Sequence, residues 1–124
     1  HNICTIIKDL SDKMEKIIHK YSLNSEDCPE LWTVRRGETF AMKMVKGAEI
    51  LFVREQPEVN KEGIPQVTGK VWALADSLET KKEKRYFRLI ETGVKFDDTD
   101  LKYIGTYQVY NGGIILHLFE YTGI

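Results

Sequence analysis

The sequence predicts an α+β fold in which an N-terminal amphipathic helix packs on a curled antiparallel β-sheet or sandwich of about seven short strands. Residues 2–22 carry apolar side chains at helical spacing, whereas the rest of the chain divides into short segments rich in β-branched and aromatic residues. Turn-forming residues separate most of these segments, and Asn111-Gly112 is the strongest hairpin signal. With 124 residues, the chain is expected to form a single domain over residues 1–124.

The helix is predicted from a continuous apolar stripe over residues 2–22, with charged residues on the opposite side. The stripe consists of Ile3, Ile6, Ile7, Leu10, Met14, Ile17, Ile18 and Tyr21. Its spacing fits a helix that covers the sheet of its own chain, and also a helix that pairs with the same helix of a second chain. We expect it to pack on the sheet and to contribute to a dimer or larger homo-oligomer.

A polar linker at residues 24–30 precedes the β part, which spans residues 31–121. The seven predicted strands are Leu31–Arg36, Glu38–Met44, Ala48–Glu55, Lys70–Asp76, Lys84–Glu91, Lys102–Tyr110 and Ile114–Tyr121. Alternation in the last strand places His117, Phe119 and Tyr121 on one face. In the strand before it, the same alternation groups Tyr103 with Tyr107.

Turns and loops are predicted from glycine, proline and charge. The pairs Arg36-Gly37 and Lys46-Gly47 indicate tight turns. Residues 56–69 contain two prolines and two glycines and are predicted to form an exposed loop. The acidic segment Val94–Asp100 is predicted to be a second loop.

Charge and hydropathy exclude several classes of function. The 18 basic and 19 acidic residues give a net charge of −1, which argues against a general DNA or RNA binder but leaves room for a local anion pocket. No apolar run approaches the length of about 20 residues that spans a membrane, so no membrane partner is expected. Cys4 and Cys28 lack metal-site spacing and fit free thiols in a reducing compartment, so a cytoplasmic location is expected.

Catalytic patterns are absent from the sequence. There is no Gly-x-Ser-x-Gly elbow, no phosphate-binding glycine loop and no Cys/His cluster at zinc spacing. His1, His19 and His117 are isolated. We therefore expect neither catalytic residues, nor a metal, nor a cofactor, and we expect that the protein is not an enzyme. A small nucleotide hydrolase that uses a metal in the loop Asp97–Asp100 ranks last among the alternatives.

Arginine is the residue type that points to a ligand. Five arginines lie on or beside predicted strands, several of them next to aromatic residues: Arg35, Arg36, Arg54, Arg85 and Arg88. The planar guanidinium binds phosphate oxygens in pairs, and aromatic faces stack bases. The set indicates an anion pocket, although each arginine by itself is also an ordinary surface residue of a strand.

Five segments of the β part stand out together: Val45–Leu51, Val71–Asp76, Arg85–Gly93, Leu101–Gln108 and Gly112–Glu120. These segments resemble a small domain family that is common in bacteriophages and prophages. The resemblance covers roughly residues 33–121 in the same order. A helix followed by this β-domain is also similar to the phage anti-Thoeris sponge proteins, which bind cyclic ADP-ribose isomers made by bacterial immune enzymes and hold them uncleaved.

This resemblance implies a phage anti-defence protein in the cytoplasm of an infected or lysogenic bacterial host. It also implies a homo-oligomer with ligand pockets at a subunit interface and, in some members, a second site for cyclic oligonucleotides. No site residue follows from the resemblance itself. The alternative function is a protein–protein adaptor or inhibitor that uses the N-terminal helix as its contact.

Candidate ligand residues follow from the chemistry of a cyclic ADP-ribose isomer, which has a pyrophosphate, an adenine and ribose hydroxyls. The pyrophosphate is assigned to the arginines, the adenine to an aromatic ring, and the hydroxyls or the adenine amine to the loop over residues 92–100. The candidates are Arg35, Arg36 and Arg88 for the pyrophosphate, Trp72 and Phe87 for the adenine unless both belong to the core, and Thr92 and Asp97 for the polar groups.

Overall fold

The computed structural model describes residues 15–23, 36–109 and 112–123, and this part of the chain is all-β. The strands are β1 (Lys16–Ser22), β2 (Phe40–Val45), β3 (Glu49–Val59), β4 (Pro65–Asp76), β5 (Lys82–Glu91), β6 (Leu101–Val109) and β7 (Ile114–Tyr121). They form a three-stranded sheet in the order β1-β4-β3 and a four-stranded sheet in the order β2-β5-β7-β6, with every pair antiparallel. No helix within the described ranges is long and apolar enough to cross a membrane.

The predicted α+β class is wrong, because the described part of the predicted helix is a strand. Residues 16–22 form β1 and pair with β4, and the rest of the helical stripe lies outside the described residues. Ile17, Ile18 and Tyr21 fit a pleated strand at least as well as a helix. Pairing with β4 and burial of Tyr21, which is 6% exposed, outweigh the weak local preference for a helix.

The predicted loop over residues 56–69 is also wrong. β3 continues to Val59 and β4 begins at Pro65, so a short turn replaces the loop. Asn60 organises this turn, since its side-chain oxygen accepts hydrogen bonds from the backbone N–H groups of Glu62 and Ile64. Proline is tolerated at both positions because Pro65 opens its strand and Pro57 lies on an edge strand of its sheet.

Other sequence predictions are confirmed within the described residues. The strand Ile114–Tyr121 has the predicted bounds, and the segment Val94–Asp100 contains no strand. Gly37 and Gly47 lie in turns with φ of +90° and +78°, as the two Xaa-Gly pairs predict. Of the first predicted strand, residues 31–35 lie outside the described residues and Arg36 lies in a turn.

The core lies between the two sheets and draws alternate residues from the strands. Phe40 and Phe87 pack with ring centroids 6.0 Å apart, and Leu118 and Val71 are fully buried near them. Because the side chains of a strand alternate between faces, this burial sends every second residue of β5 and β7 to the outer side of the four-stranded sheet.

The two sheets approach each other closely along both pairs of edges. At one side β6 lies against β3, where a Cβ atom on Gly105 would come within 2.8 Å of Val53 Cγ1. At the other side the backbone N–H of Val45 on β2 donates to the hydroxyl of Tyr21 on β1, at 3.0 Å. The sandwich is therefore nearly closed, and Gly105 permits the closest approach of its strands.

Arg85 forms a partly buried ion pair on the core side of the four-stranded sheet. Its Nε and Nη2 donate to the carboxylate of Glu120 at 2.7 and 2.8 Å, and its Nη1 donates to the carbonyl of Ala48. The bidentate hydrogen bond with Glu120 raises the pKa of Arg85. Arg85 is thus committed to the fold and is not free to bind an anion.

The Arg85–Glu120 pair gives a testable prediction about stability. We expect Glu120→Gln to lower the free energy of unfolding by about 2 kcal/mol, because it leaves a partly buried guanidinium without its counter-charge. Replacement of both partners, Arg85→Met with Glu120→Leu, should cost much less, since no charge is then left buried. Urea denaturation of the three proteins measures the difference, and equal losses for the single and double variants would contradict the interpretation.

Candidate functional site

The four-stranded sheet carries a second set of side chains on the face that points away from the core. Directly opposed residues of an antiparallel pair share a face, so the register of β5, β7 and β6 arranges these side chains in rows. The rows consist of Tyr86 with Tyr121, Arg88 with Phe119 and Tyr103, and Ile90 with His117 and Thr106. We call these eight side chains the aromatic face.

An irregularity in β6 places Tyr103 on the aromatic face. Strict alternation groups Tyr103 with Tyr107, but the register shifts between Tyr103 and Gly105. Tyr103 therefore lies opposite Phe119 and is 55% exposed, whereas Tyr107 is 4% exposed in the core. The sequence-based grouping of the two tyrosines is wrong for this reason.

Phe119 is the centre of a cluster of three rings. Phe96, from the loop over residues 92–100, packs on it at 5.3 Å between centroids, and Tyr103 packs edge-on at 5.5 Å. The loop therefore lies over the aromatic face. Phe96 and Tyr103 remain about half exposed, so ring surface is open to a flat partner.

Arg88 lies at the β5 end of the middle row and is held in place by two contacts. Its Cζ atom lies 4.8 Å from the ring centroid of Tyr121, and its Nε donates to the hydroxyl of Thr39 at 2.8 Å. Its Nη atoms form no hydrogen bond with any residue in the described ranges. The outer edge of the guanidinium is therefore free to bind an anion.

A continuous run of hydrogen bonds crosses the β7 side of the face. The hydroxyl of Thr92 lies 2.7 Å from His117 Nε2, and the hydroxyl of Thr106 lies 2.8 Å from His117 Nδ1. The hydroxyl of Tyr103 lies 2.5 Å from that of Thr106. We call these four groups the hydroxyl–imidazole chain; it fixes the ring of His117 from both sides.

Asp97 adds a negative charge beside Arg88. The hydroxyl of Thr99, at 2.6 Å, and then the backbone N–H of Thr99, at 2.9 Å, lower the pKa of Asp97. The positive charge of Arg88 lowers the pKa of Asp97 further, which indicates that the two side chains lie near each other. An anionic ligand on Arg88 would meet this carboxylate as well.

Three of the sequence-predicted ligand residues come together here. Arg88 belongs to the aromatic face, Thr92 belongs to the hydroxyl–imidazole chain, and Asp97 lies in the loop that covers both. The loop places Asp97 near the guanidinium of Arg88, and Thr92 lies next to the row that contains Arg88.

The other candidates lie elsewhere. Phe87 is 0% exposed in the core and has no surface for a ligand, so the alternative role as a core residue is correct. Trp72 stacks on Phe52 at 4.8 Å on the outer side of the three-stranded sheet. Arg36 lies 3.5 Å from the carboxylate of Glu91, and Arg35 lies outside the described residues.

Several residues of the face escape sequence-based prediction. Alternation in β7 groups His117, Phe119 and Tyr121, and this outward aromatic pattern is the signal that could have identified them. Phe96 carries no such signal, because a loop residue is placed by tertiary contacts. Tyr103 is hidden by the register shift in β6.

A shallow groove of about 500 Å³ opens between β3 and β6. It is lined by Phe52, Val53, Arg54, Glu55, Thr106, Tyr107 and Gln108. Arg54 lies beside Glu55, whose carboxylate accepts a hydrogen bond from the backbone N–H of Gln108 at 3.2 Å. Through Thr106 the groove adjoins the aromatic face.

Metal ligands do not converge in the part of the chain that the structure describes. No three His, Cys, Asp or Glu side chains there lie together as a metal site. In the loop Asp97–Asp100, the carboxylate of Asp97 accepts a hydrogen bond from the backbone N–H of Thr99. The backbone carbonyl of Asp100 accepts one from the backbone N–H of Thr122. His1 and both cysteines lie outside the described residues.

Comparison with known proteins gives a family and no relative of established function. The family model described as Domain of unknown function (DUF7352) matches residues 14–123. No curated protein matches the chain significantly, and neither does any solved structure. The matched range contains all seven strands and the whole aromatic face, so the site lies within the family domain.

The contacts of Asp97 give a prediction that tests the geometry of the loop. We expect Thr99→Val to raise the pKa of Asp97 toward its usual value, since the hydroxyl of Thr99 makes the largest contribution to lowering it. Arg88→Gln should raise it by a smaller amount. Carboxyl ¹³C shifts followed through an acid titration measure both changes, and an unchanged value in Thr99→Val would show that the loop has another conformation in solution.

Proposed function

We propose that this chain, which belongs to the DUF7352 family, binds a small anionic molecule of the nucleotide type on its aromatic face. The observation that carries the proposal is the middle row of the face, where Arg88, Phe119 and Tyr103 lie side by side on three neighbouring strands. Two strand spacings, about 10 Å, separate its ends. A nucleotide is long enough to reach from one end to the other.

Each part of a nucleotide has a matching group in this row. The free N–H groups of Arg88 can donate to two phosphate oxygens, and the contact of the guanidinium with the ring of Tyr121 holds it in one orientation. The exposed ring surface of Phe96 and Tyr103 offers a place for a base. The hydroxyl groups of Tyr103 and Thr106, at the edge of these rings, can hydrogen-bond the sugar.

The proposal includes binding without cleavage. Both ring nitrogens of His117 are engaged with threonine hydroxyls, and neither faces a carboxylate. A general base normally has one ring nitrogen directed at the reacting proton and the other oriented by an acid group. The arrangement around His117 therefore supports a positioning role, as expected of a protein that holds its ligand intact.

A cyclic ADP-ribose isomer is the ligand we propose, and sequestration of this immune signal by a phage protein in the bacterial cytoplasm is the proposed role. The resemblance of the β part to the anti-Thoeris sponge proteins supports this choice; the helix that completed the resemblance is replaced by β1 in its described part. The pyrophosphate, adenine and ribose hydroxyls of the ligand match the cation, rings and hydroxyls of the face. Cyclic oligonucleotides also carry phosphates, bases and sugars, and they are a second ligand class to test.

The adaptor alternative loses its main support. It depends on an amphipathic helix over residues 2–22, and the described part of that segment is β1. Ile17 and Tyr21 face β4 residues on the core side of the sheet and do not form one side of a helix.

Substitutions that remove the charge of Arg88 in the middle row, or of Asp97 in the loop beside it, test the proposed site. We expect Arg88→Gln to weaken binding of cyclic ADP-ribose about ten- to hundredfold, the usual effect of losing a charge-assisted hydrogen bond. Asp97→Asn should leave binding equal or make it tighter, because it removes a negative charge near the phosphate. Calorimetric titration of both variants measures the effect.

Arg54→Gln is the matched control, since it removes the same charge from the other sheet. Equal affinity in Arg88→Gln and the native protein would overturn the site. A ligand that is released by heat as a hydrolysed product would overturn the claim that the protein does not cleave it.

Self-association is the remaining part of the proposal. Ile18 and Phe52 are about half exposed on the outer side of the three-stranded sheet, where Trp72 lies between their strands. Exposed apolar side chains that adjoin one another favour an interface, and a second copy of the chain supplies a self-complementary partner. Light scattering at micromolar concentration should give at least twice 14.4 kDa. A mass of one chain would contradict the proposal.

A further inference from the structure

We infer that the hydroxyl–imidazole chain is the part of the site that recognises the sugar of the ligand, through one of the ribose hydroxyl groups. The inference rests on the proposed nucleotide binding and assigns a role to the hydroxyl groups and the imidazole, which the phosphate and base do not use. It depends on the order of the four groups, which run from Thr92 through His117 and Thr106 to Tyr103.

Each group of this chain can both donate and accept a hydrogen bond. A threonine or tyrosine hydroxyl has one proton and free lone pairs, and a neutral imidazole has one N–H and one acceptor nitrogen. Four groups therefore carry four protons, but the three bonds between them use three. When the three bonds all run in one direction, one proton remains at one end of the chain.

The tautomer of His117 decides which end holds that proton. When Thr92 donates to Nε2, Nδ1 donates to Thr106, Thr106 donates to Tyr103, and the phenol of Tyr103 donates outward. When all three bonds are reversed, the hydroxyl of Thr92 donates outward and Tyr103 accepts. In each of these two arrangements one end donates and the other accepts, and the ends exchange roles when the tautomer changes.

This property suits a ligand hydroxyl. A hydroxyl donates as well as accepts, so it can join the chain in either tautomer, whereas a phosphate oxygen can bind in one tautomer alone. The end at Tyr103 lies in the same row as Arg88 and beside the ring of Phe119. A nucleotide with its phosphate on Arg88 brings its sugar to this end.

The experiment compares cyclic ADP-ribose with analogues that each lack one ribose hydroxyl. For the native protein we expect one of these analogues to bind about three- to tenfold more weakly, the usual effect of losing a neutral hydrogen bond. Thr106→Val keeps the shape of the side chain and interrupts the hydroxyl–imidazole chain. We expect this variant to bind the intact ligand and that analogue equally, whereas Thr106→Ser should keep the preference.

Two further variants test whether a change in ligand preference comes from the hydroxyl–imidazole chain and not from a general loss of folding. Thr80→Val is the control for loss of an exposed threonine hydroxyl far from the face. Thr92→Val interrupts the same chain on the other side of His117. The imidazole ¹⁵N shifts of His117 should change in Thr106→Val and Thr92→Val and stay constant in Thr80→Val, even without ligand.

The outcomes separate this inference from the proposed function. If neither cyclic ADP-ribose nor its analogues bind the native protein, the proposed function fails. If they bind but every analogue matches the intact ligand, or Thr106→Val keeps the native preference, the site stands and the inference is overturned. Loss of the preference in Thr106→Val and Thr92→Val together, with retention in Thr106→Ser and Thr80→Val, supports it.

Discussion

The antiparallel pairing of β7 with both β5 and β6 is the constraint on which the rest of the structure depends. It buries Leu116 and Leu118 against the core, and the alternation of a strand then sends His117 and Phe119 to the outer side. The same register sets Arg88 and Tyr103 on either side of Phe119. The core and the candidate site are therefore two faces of one ladder, and neither can shift by a residue without the other.

Two arginines of β5 show how strand parity separates structure from function. Arg85 and Arg88 are an odd number of positions apart, so they lie on opposite faces of the sheet. Arg85 is enclosed by Glu120 and Ala48, and its charge is used to hold the sandwich. The guanidinium of Arg88 packs over the ring of Tyr121, and its outer N–H groups remain available to a ligand. A count of arginines in the sequence gives both the same weight, whereas the environment gives them different chemistry.

Local patterns in the sequence predicted a large part of this arrangement. Alternation in β7 was sufficient to give its bounds and to group His117, Phe119 and Tyr121 on one face, and Xaa-Gly pairs located two turns because positive φ values favour glycine. Where prediction failed, two structures competed for the same pattern. Residues 16–22 fit a helix and a strand alike, and pairing with β4 decided between them. Pro57 and Pro65 indicated a loop, but their positions at a strand edge and a strand start remove the conflict.

By itself the sequence determined the existence of an antiparallel β-domain and a supply of arginine and aromatic side chains on its strands, because both follow from residue types and their spacing. The tertiary structure alone decided which of them meet. The register shift in β6 turned Tyr103 outward, and contact with Phe119 placed the loop residue Phe96. Burial removed Phe87 from the candidates. These outcomes depend on contacts between residues distant in the chain, which local periodicity does not contain.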